Sequence, residues 1–224
     1  MVITGASSGI GASIARQSAD AGYRLVLAAR TVAPLEQLAE EVGGASRAIA
    51  ISCDVADWDA QQGMVASAME TFGQIDVVVA NAGFGAKRGF QSETPDHWRD
   101  MILTNVLGAA LTVRACFDPV RESKGHVVLT GSVAGRRSLP GSIYSATKWA
   151  VTGMAEGLRQ ELNGTGVRVT LISPGAVDTP FFDTPPAFKA LEPDDVARAV
   201  MFALAQPEHV DTNEILLRAT AQEL

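Results

Sequence analysis

The sequence has few cysteines and few histidines, and both shortages narrow its chemistry. Cys53 and Cys116 are its only 2 cysteines, each within an apolar stretch, which is typical of small buried hydrophobic side chains rather than of a disulfide framework. We therefore expect a reducing compartment, the cytoplasm. The 3 histidines, His97, His126 and His209, are scattered without metal-ligand spacing or a Cys/His cluster, so we expect no metal site.

Long apolar runs and an excess of positive charge are also missing. No apolar run reaches the ~18 residues that a membrane span needs. The first residues lack the charged n-region and small-residue cleavage site of a signal peptide. The net charge of −7 argues against a nucleic-acid-binding surface. We expect partners that are neither nucleic acids nor membranes.

Short apolar runs recur along the chain and alternate with helical patterns. The runs are rich in Val, Ile and Leu and mostly do not alternate with polar residues, which is typical of parallel strands buried on both faces. We predict one domain over residues 1–224 with a doubly wound α/β fold: a predominantly parallel seven-stranded sheet with helices on both faces, in three layers. The runs are VIT at Val2, RLVLAA at Arg24, RAIAIS at Arg47, DVVVAN at Asp76, HVVLTGS at His126, VRVTLIS at Val167 and EILLR at Glu214.

The helical patterns between these runs have recognisable starts and stops. Pro34 is typical of the first residue of a helix. A long helix is predicted from about Pro95 to Phe117, and another from Tyr144 to Leu162, which Asn163-Gly164 ends. Asp194-Asp195 opens the last helix. Ligands of such sheets bind at the carboxyl ends of the strands, so functional residues are expected just after strands.

A glycine-rich loop, within VITGASSGIGASIA, joins the first predicted strand to the first helix. Glycine permits positive φ and lets a pyrophosphate approach the backbone, and the helix N-terminus that follows offers unpaired N–H groups. The spacing is G-x-x-x-G-x-G rather than the common G-x-G-x-x-G. The candidate cofactor-binding residues of this loop are Gly5, Ser7, Ser8, Gly9, Ile10 and Gly11.

Tyr144 and Lys148, in SIYSATKWAV, lie one turn apart on one face of a predicted helix. Such a pair is often purely structural, but Ser132 ends a predicted strand 12 residues before the tyrosine, where a polar side chain meets the ligand crevice. Reduction of a carbonyl leaves an alkoxide that needs a proton, and a neighbouring ammonium lowers the tyrosine pKa of ~10 towards the working pH. We predict that Tyr144 is the general acid/base, that Lys148 lowers its pKa, and that Ser132 binds the carbonyl oxygen.

Three motifs stand in the order found in one known family. TGASSGIG near the start, NAG after the fourth predicted strand and YSATK resemble the short-chain dehydrogenases/reductases, over essentially the whole chain. The resemblance implies a single-domain Rossmann-type oxidoreductase that acts on CH–OH donors with a nicotinamide dinucleotide. It also implies a homotetramer or homodimer formed through the two long helices near Asn105 and Tyr144.

The resemblance further implies roles for individual residues. Asn105 corresponds to a fourth catalytic residue, which holds a water in a proton relay from Lys148 to solvent, and Thr4 would brace the NAG turn. The implied cofactor contacts beyond the glycine loop are Asp54 and Val55 at the adenine, Asn81, Ala82 and Gly83 at the adenosine ribose, Tyr144 and Lys148 at the nicotinamide ribose, and Pro174, Gly175, Val177 and Thr179 at the nicotinamide amide.

The chain departs from the family pattern in three places. Ala80-Asn81 stands where the family usually has two asparagines, and the first strand is cut short. The stretch from Thr179 to Pro193, which is normally the substrate lid, is shorter than usual. The resemblance therefore implies the chemistry but not the shape of the substrate pocket.

Ala29 and Arg30 end the second predicted strand, where the adenosine ribose is expected. NAD-specific members of such folds place an acidic residue there to bind the ribose 2′-OH. Alanine removes the charge that would repel a 2′-phosphate, and the guanidinium can bind phosphate bidentately. The alternative is an arginine that merely caps a strand in solvent while NAD is used. We predict NADP as cofactor, with NADPH preferred over NADH.

The expected function is NADP(H)-dependent interconversion of a ketone or aldehyde and an alcohol by hydride transfer. Three alternatives stay open: the same reaction with NAD(H), an epimerase or dehydratase that uses the cofactor transiently, and a catalytically silent dinucleotide-binding sensor. Arg136-Arg137 and Lys87-Arg88 follow predicted strands and are either solvated loop charges or, if one faces the pocket, a reason for an acidic substrate.

Overall fold

All seven predicted strands form one parallel sheet. The computed structural model describes residues 1–181 and 187–223, and the bounds below refer to these residues. The strands are β1 (Val2–Thr4), β2 (Leu25–Ala29), β3 (Ala48–Ser52), β4 (Val77–Ala80), β5 (His126–Thr130), β6 (Arg168–Pro174) and β7 (Glu214–Leu217). Their order across the sheet is β3-β2-β1-β4-β5-β6-β7, and each pair of neighbours is parallel. The predicted sheet is confirmed.

Helices cover both faces of the sheet. They are α1 (Gly9–Asp20), α2 (Ala33–Glu41), α3 (Trp58–Phe72), α4 (Pro95–Ile102), α5 (Ala109–Ala115), α6 (Phe117–Glu122), α7 (Ile143–Glu161) and α8 (Pro193–Leu204). Helices α1, α2 and α8 pack into the core on one face, and α3, α5, α6 and α7 pack into the core on the other. The three-layer arrangement is therefore confirmed. Across the described helices, none combines the length and the apolar character that crossing a bilayer requires.

Neighbouring residues on one strand belong to opposite cores. On β1, Val2 lies in the core shared with α3 and α7, whereas Ile3 lies in the core shared with α1 and α8. Val127 and Val128 repeat the arrangement on β5, and all four residues are at most 1% exposed. Burial of each such side chain contributes roughly 1.5–3 kcal/mol. Burial on both faces explains why the strand sequences are continuously apolar.

The helix predicted from about Pro95 to Phe117 is not a single regular helix. Instead α4 runs into a π turn over Leu103–Gly108, and α5 and α6 follow. A Cβ built on Gly108 would lie 2.5 Å from Cγ2 of Val55, so this part of the turn packs against the loop after β3 with no room for a side chain. The π turn adds a residue to one helical turn and packs against a distant segment, and a 3.6-residue sequence pattern does not contain that information.

The strand order creates a crevice at the carboxyl edge of the sheet. From the central β1 the chain runs outward to β2 and β3 and then returns to β4 on the other side of β1. Ligands of such sheets bind at this reversal. Gly5 follows β1, Asn81 follows β4, and Ser132 lies two residues beyond β5, so the predicted functional residues share this edge. Within the short stretch from Thr179 to Pro193, which was predicted to be a reduced substrate lid, residues 182–186 lie outside the described residues.

Candidate active site

The glycine loop after β1 is packed too closely for side chains. Gly5 has φ +67°, and a Cβ there would lie 2.8 Å from the Ala82 Cα. A Cβ on Gly11 would lie 2.3 Å from the Gly5 carbonyl oxygen. Any larger residue at either position would therefore displace backbone. Glycine here keeps the loop tight against the residues that follow β4.

Thr4 and Asn81 hold the glycine loop against the turn after β4. The Thr4 Oγ1 accepts hydrogen bonds from the Asn81 N–H at 3.1 Å and the Ala82 N–H at 3.3 Å. The Asn81 Nδ2 donates to the carbonyl oxygens of Thr4 at 3.1 Å and Gly5 at 3.3 Å. The expected bracing of the NAG turn by Thr4 is thus present as hydrogen bonds. The Asn81 side chain adds two more, from the turn back to the glycine loop.

The N-terminus of α1 has the donors that a phosphate group requires. Ser8 precedes α1 in an extended conformation and makes no side-chain cap, so its side chain does not satisfy the first N–H groups of the helix. Gly9 has φ +52°, and a Cβ there would lie 3.1 Å from Cγ2 of Thr179, on the segment after β6. A free helix N-terminus in a loop that excludes side chains fits the pyrophosphate of a dinucleotide.

Lys148 and Tyr144 lie on α7 beside the end of β5. Lys148 is 5% exposed, its Nζ donates to the Thr130 carbonyl oxygen at 2.8 Å, and Nζ lies 5.7 Å from the centroid of the Tyr144 ring. Ser132 is buried, its Oγ accepts from the Ala134 N–H at 3.1 Å, and its hydroxyl acts on Tyr144 by lowering the pKa of that phenol. The structure therefore brings together the serine, the tyrosine and the lysine that the sequence predicted.

Asn105 lies on the π turn and is fixed through its amide group. Its Oδ1 accepts from the Phe84 N–H at 3.0 Å, and its Nδ2 donates to the Phe84 carbonyl oxygen at 2.8 Å. Nδ2 also lies 3.3 Å from Oγ1 of Thr147, the residue before Lys148 on α7. Asn105 thus joins the segment after β4 to the helix that carries Tyr144. π turns recur at functional sites.

A model of the short chain dehydrogenase family matches residues 1–188. The chain belongs to the short-chain dehydrogenase family. Dehydrogenase/reductase SDR family member 11 of Homo sapiens is 36% identical over 244 residues, which cover 99% of this chain and 94% of that protein. The family resemblance inferred from the motifs is confirmed.

Solved structures of the family share the fold over nearly their full length. An alcohol dehydrogenase from the archaeon Thermococcus sibiricus, complexed with 5-hydroxy-NADP, is 35% identical with a TM-score of 0.92, over 100% of this chain and 97% of that one. A serine dehydrogenase complexed with NADP⁺ is 30% identical with a TM-score of 0.93, over 100% and 96% of the two chains. The chain is an oxidoreductase of this family with a Rossmann-type fold.

Burial sets the pKa values of the two titratable groups at this short-chain dehydrogenase site. Desolvation raises the pKa of Tyr144 to about 12, although the hydrogen bond with Ser132 acts in the opposite direction. Desolvation also lowers the pKa of Lys148 to about 8. The direction for Tyr144 is opposite to the lowering expected from the sequence, because the burial of the phenol outweighs the favourable contact with Ser132. A sequence shows that two groups are neighbours but not how much water surrounds them.

The residues predicted at the adenosine end lie beyond β2 and β3. Arg30 directly follows β2 with an exposed side chain, and its carbonyl oxygen accepts from the Ser52 hydroxyl at 3.4 Å. Asp54 is exposed, and its Oδ1 accepts from the Ala56 N–H at 3.0 Å. Val55 is 5% exposed and packs against the π turn. All of these residues are at the carboxyl edge of the sheet, outward from the glycine loop.

The residues predicted at the nicotinamide end follow β6. Pro174 ends the strand, and the Gly175 N–H donates to the Leu217 carbonyl oxygen at 2.8 Å. Val177 is buried and forms an isolated parallel bridge with Leu191. Thr179 reaches the glycine loop through its contact with Gly9. This segment therefore joins the glycine loop from the other side of the crevice.

Arg136 is paired within the fold and is not the free cation that the acidic-substrate hypothesis required. Its Nε and Nη2 donate to the two carboxylate oxygens of Glu214 at 2.9 and 2.5 Å. The Glu214 carboxylate also accepts from the Ser173 hydroxyl at 2.7 Å. Arg137 and Lys87 are exposed on their loops. The Arg136 charge is used within the fold, so we no longer expect Arg136 to select an acidic substrate.

Three residues with contacts in the site were not expected from the sequence. The Thr130 carbonyl oxygen accepts a hydrogen bond from the Lys148 ammonium, and the Thr130 hydroxyl donates to Asn81 Oδ1 at 3.2 Å. Thr147 meets Asn105, and the ring of Phe181 lies beside the ring of Tyr144. Thr130 could have been suspected because it ends a strand two residues before Ser132. The other two contacts join segments that only the fold brings together.

The described residues contain neither a disulfide at the two cysteines nor a metal-binding cluster. Cys53 and Cys116 are both free and buried, as expected. Over residues 1–181 and 187–223, no group of three or more His, Cys, Asp and Glu side chains is arranged to hold a metal ion.

Proposed function

We propose that this chain interconverts a ketone or aldehyde and an alcohol by hydride transfer, with NADP(H) as cofactor. The observation that carries the proposal is the convergence of Ser132, Tyr144 and Lys148 beside the glycine loop. The loop fits a dinucleotide, and the bound nicotinamide supplies or accepts the hydride. The side chains of the chain itself handle the oxygen and its proton.

Ser132 and Tyr144 act on the carbonyl oxygen during reduction. The Ser132 hydroxyl donates a hydrogen bond to that oxygen and stabilises the negative charge that develops on it. The Tyr144 hydroxyl then transfers its proton to the oxygen, and the product is an alcohol. With a pKa raised to about 12, Tyr144 keeps its proton at neutral pH, so the protonated form that the reduction uses is the resting form. In the oxidation direction the phenolate takes the proton back.

Lys148 compensates for the charge that the proton transfer leaves on Tyr144. A phenolate in a buried site is unfavourable without a nearby cation. Because the pKa of Lys148 is about 8, its ammonium group is mostly protonated at pH 7 and supplies that cation. We assign Lys148 a second role at the nicotinamide ribose. Asn105, fixed between Phe84 and Thr147, is proposed to hold the water through which a proton from solvent replaces the one that Lys148 passes on towards the Tyr144 phenolate.

NADP is favoured over NAD by the end of β2. Ala29 and Arg30 present no carboxylate to repel a 2′-phosphate, and the exposed guanidinium can bind one. The two structural relatives described above were solved with 5-hydroxy-NADP and NADP⁺, which supports the same cofactor here. The remaining proposed cofactor contacts are those of the glycine loop, Asp54, Val55, Asn81, Ala82, Gly83, Pro174, Gly175, Val177 and Thr179.

We further propose a homotetramer in a reducing, cytoplasmic compartment. Leu103, Leu107 and Trp149 expose 37%, 41% and 45% of their surface on the adjoining π turn and α7, which offers one apolar face to a second copy. Phe202 on α8 and Leu216 on β7 are 58% and 45% exposed, and they offer a second face. Two separate faces favour a tetramer over a dimer. The free, buried cysteines are consistent with reducing conditions.

An absorbance assay separates this proposal from its alternatives. Purified protein is mixed with NADPH or NADH and with a panel of ketones, aldehydes and alcohols, and the reduced nicotinamide is followed. Net consumption with a carbonyl supports the proposal, and a better kcat/KM with NADH would favour the NAD alternative. Tight binding of NADP(H) without turnover of any substrate would favour a sensor. Turnover of a sugar-type substrate without net change in the nicotinamide would favour an epimerase or dehydratase.

A further inference from the structure

The ring of Phe181 lies against the ring of Tyr144. Their centroids are 5.6 Å apart with an angle of 63° between the planes, which is an edge-to-face arrangement. Phe181 follows Thr179 by two residues, and its backbone N–H donates to the Thr179 Oγ1 at 3.3 Å. The ring is 40% exposed. Phe181 therefore forms an apolar wall directly beside the proposed proton donor.

Gly85 leaves the space that the Phe181 ring fills. A Cβ on Gly85 would lie 2.6 Å from Cζ and 2.8 Å from Cε1 of Phe181. Gly85 is not among the glycines with positive φ, so its backbone does not require glycine. The close approach of the aromatic ring is what excludes a side chain at this position. Gly85 and Phe181 are thus matched in size.

The segment that carries Gly85 is fixed to the site. The Gly85 carbonyl oxygen accepts from Nε2 of His97 at 3.0 Å, and the rings of His97 and Phe84 meet edge-to-face at 5.3 Å. The backbone of Phe84 is bound in both directions by Asn105. Because Asn105 also contacts α7, the segment on which the Phe181 ring packs is held at a fixed position relative to Tyr144. An apolar wall that is fixed in this way can distinguish substrates by their shape.

We propose that Phe181 and Gly85 form a pair that determines substrate specificity, selecting carbonyl compounds whose apolar substituent is flat and of limited bulk. The inference rests on the proposed carbonyl reduction and names the substrate class of that site. The wall is aromatic, so it favours an apolar neighbour for the carbonyl group. Arg136 is already bound by Glu214, so it offers no free counter-charge for an acidic substrate.

Two ketones with the same reacting group test the pair. Acetophenone and 4′-tert-butylacetophenone differ only in bulk far from the carbonyl, and the quantity measured is the ratio of their kcat/KM values with NADPH. Phe181→Ala should shift this ratio towards the bulkier ketone by about tenfold or more, within the range for a changed apolar pocket. The Kd for NADP⁺ should stay within about twofold, because alanine keeps the backbone N–H that binds Thr179.

A double-mutant cycle distinguishes the pair from two independent residues. Gly85→Ala alone should displace the ring and change the ratio, whereas in the Phe181→Ala background the same substitution should change it less than about twofold. Phe72→Ala is the matched control for loss of a phenylalanine ring far from the site. The Arg24 guanidinium lies over the Phe72 ring at the amino edge of the sheet, so this variant should leave the ratio unchanged. If Gly85→Ala does not fold, the ratio for Phe181→Ala decides.

A binding measurement keeps this inference separable from the proposed reaction. Benzamide and 4-tert-butylbenzamide carry a carbonyl that is not reduced, and calorimetry gives their Kd values on the NADP⁺-loaded protein. Wild type should prefer benzamide, and Phe181→Ala should remove that preference. If no ketone is reduced but the benzamide preference changes as stated, the proposed function fails and the specificity pair stands. An unchanged ratio in both experiments overturns the pair.

Discussion

At the scale of single residues, Arg30 is proposed to decide between the two cofactors. Arg30→Ala should reduce the preference for NADPH over NADH by about 10–150-fold, mainly through the KM for NADPH, because a charge-assisted hydrogen bond contributes roughly 1.5–3 kcal/mol. Ala29→Asp should move the preference further towards NADH by repelling the 2′-phosphate. Steady-state kinetics with both cofactors measures this. Arg24→Ala, at the other end of the same strand, is the control. An equal or better kcat/KM with NADH in wild type would remove the role of Arg30.

His126 should make the stability of the protein depend on pH. It is 1% exposed, its Nε2 donates to the Thr170 hydroxyl, which itself donates to the Thr212 carbonyl oxygen, and its Nδ1 finds no partner among the described residues. Burial and the nearby Arg168 lower its pKa to about 3. The folded state therefore binds its proton less readily than the unfolded state, whose pKa is ~6.5. The stability that His126 contributes is present above pH ~6.5 and is lost as the pH falls towards 3.

Chemical denaturation at several pH values measures this contribution. Between pH 7 and pH 5 the free energy of unfolding should fall by about 2 kcal/mol through His126. His126→Gln should flatten that slope, whatever its effect on the stability at pH 7. His209→Gln replaces an exposed histidine and should leave the slope as in wild type. The same slope in wild type and His126→Gln would show that other groups cause the pH dependence.

At the scale of the elements, the π turn should be less tolerant than the regular helices. Gly108→Ala would place a Cβ 2.5 Å from Cγ2 of Val55, and overpacking of this kind typically costs about 1–3 kcal/mol. Gly63→Ala, on α3, meets nothing within 4 Å, and it should stabilise the protein by about 0.5–1 kcal/mol. The free energy of unfolding of the two variants measures the contrast. Equal changes in the free energy of unfolding would mean that the structure around Gly108 accommodates a methyl group without strain.

The strands could be predicted from the sequence more fully than the path between them. Burial on both faces requires a continuous apolar run in a strand, as at Val2 and Ile3. Such a run can be recognised in the sequence without knowing which strand pairs with it. The glycine loop and the Tyr144–Lys148 pair are likewise local in the chain. The π turn at Leu103–Gly108 depends on its fit against the loop after β3, and the contact of Phe181 with Tyr144 joins distant segments. These features arise from tertiary packing, so no local pattern predicts them.

The raised pKa of Tyr144 illustrates the same limit at the site. The spacing of Tyr144 and Lys148 predicted a cation beside the phenol, and the lysine does lie 5.7 Å from the ring. The net pKa depends also on how completely the fold removes water from the phenol, and that burial raises it to about 12. Residue types at a given spacing therefore identify the chemical groups, whereas their ionisation follows from the folded environment.

At the scale of the whole molecule, assembly should depend on the apolar face around Trp149. Trp149→Glu would place a charge on this face, and burial of an unpaired charge between two copies is strongly unfavourable. Light scattering coupled to size exclusion should show a tetramer for wild type and a smaller species for the variant. Trp58→Glu, on α3 of the same helix layer, tests whether the same change at another tryptophan has this effect. A monomeric wild type would contradict the proposed assembly.

The central claim is that Tyr144 donates the proton in carbonyl reduction, and Tyr144→Phe tests it most directly because only the hydroxyl is lost. The measurement is kcat for a reduced ketone, together with the Kd for NADP⁺ and the melting temperature. The expected result is a fall in kcat of about 10²–10⁴-fold with the fold and cofactor affinity retained. Tyr23→Phe, at the only other tyrosine, should keep the wild-type kcat. A Tyr144→Phe variant that kept most of its turnover would contradict the account.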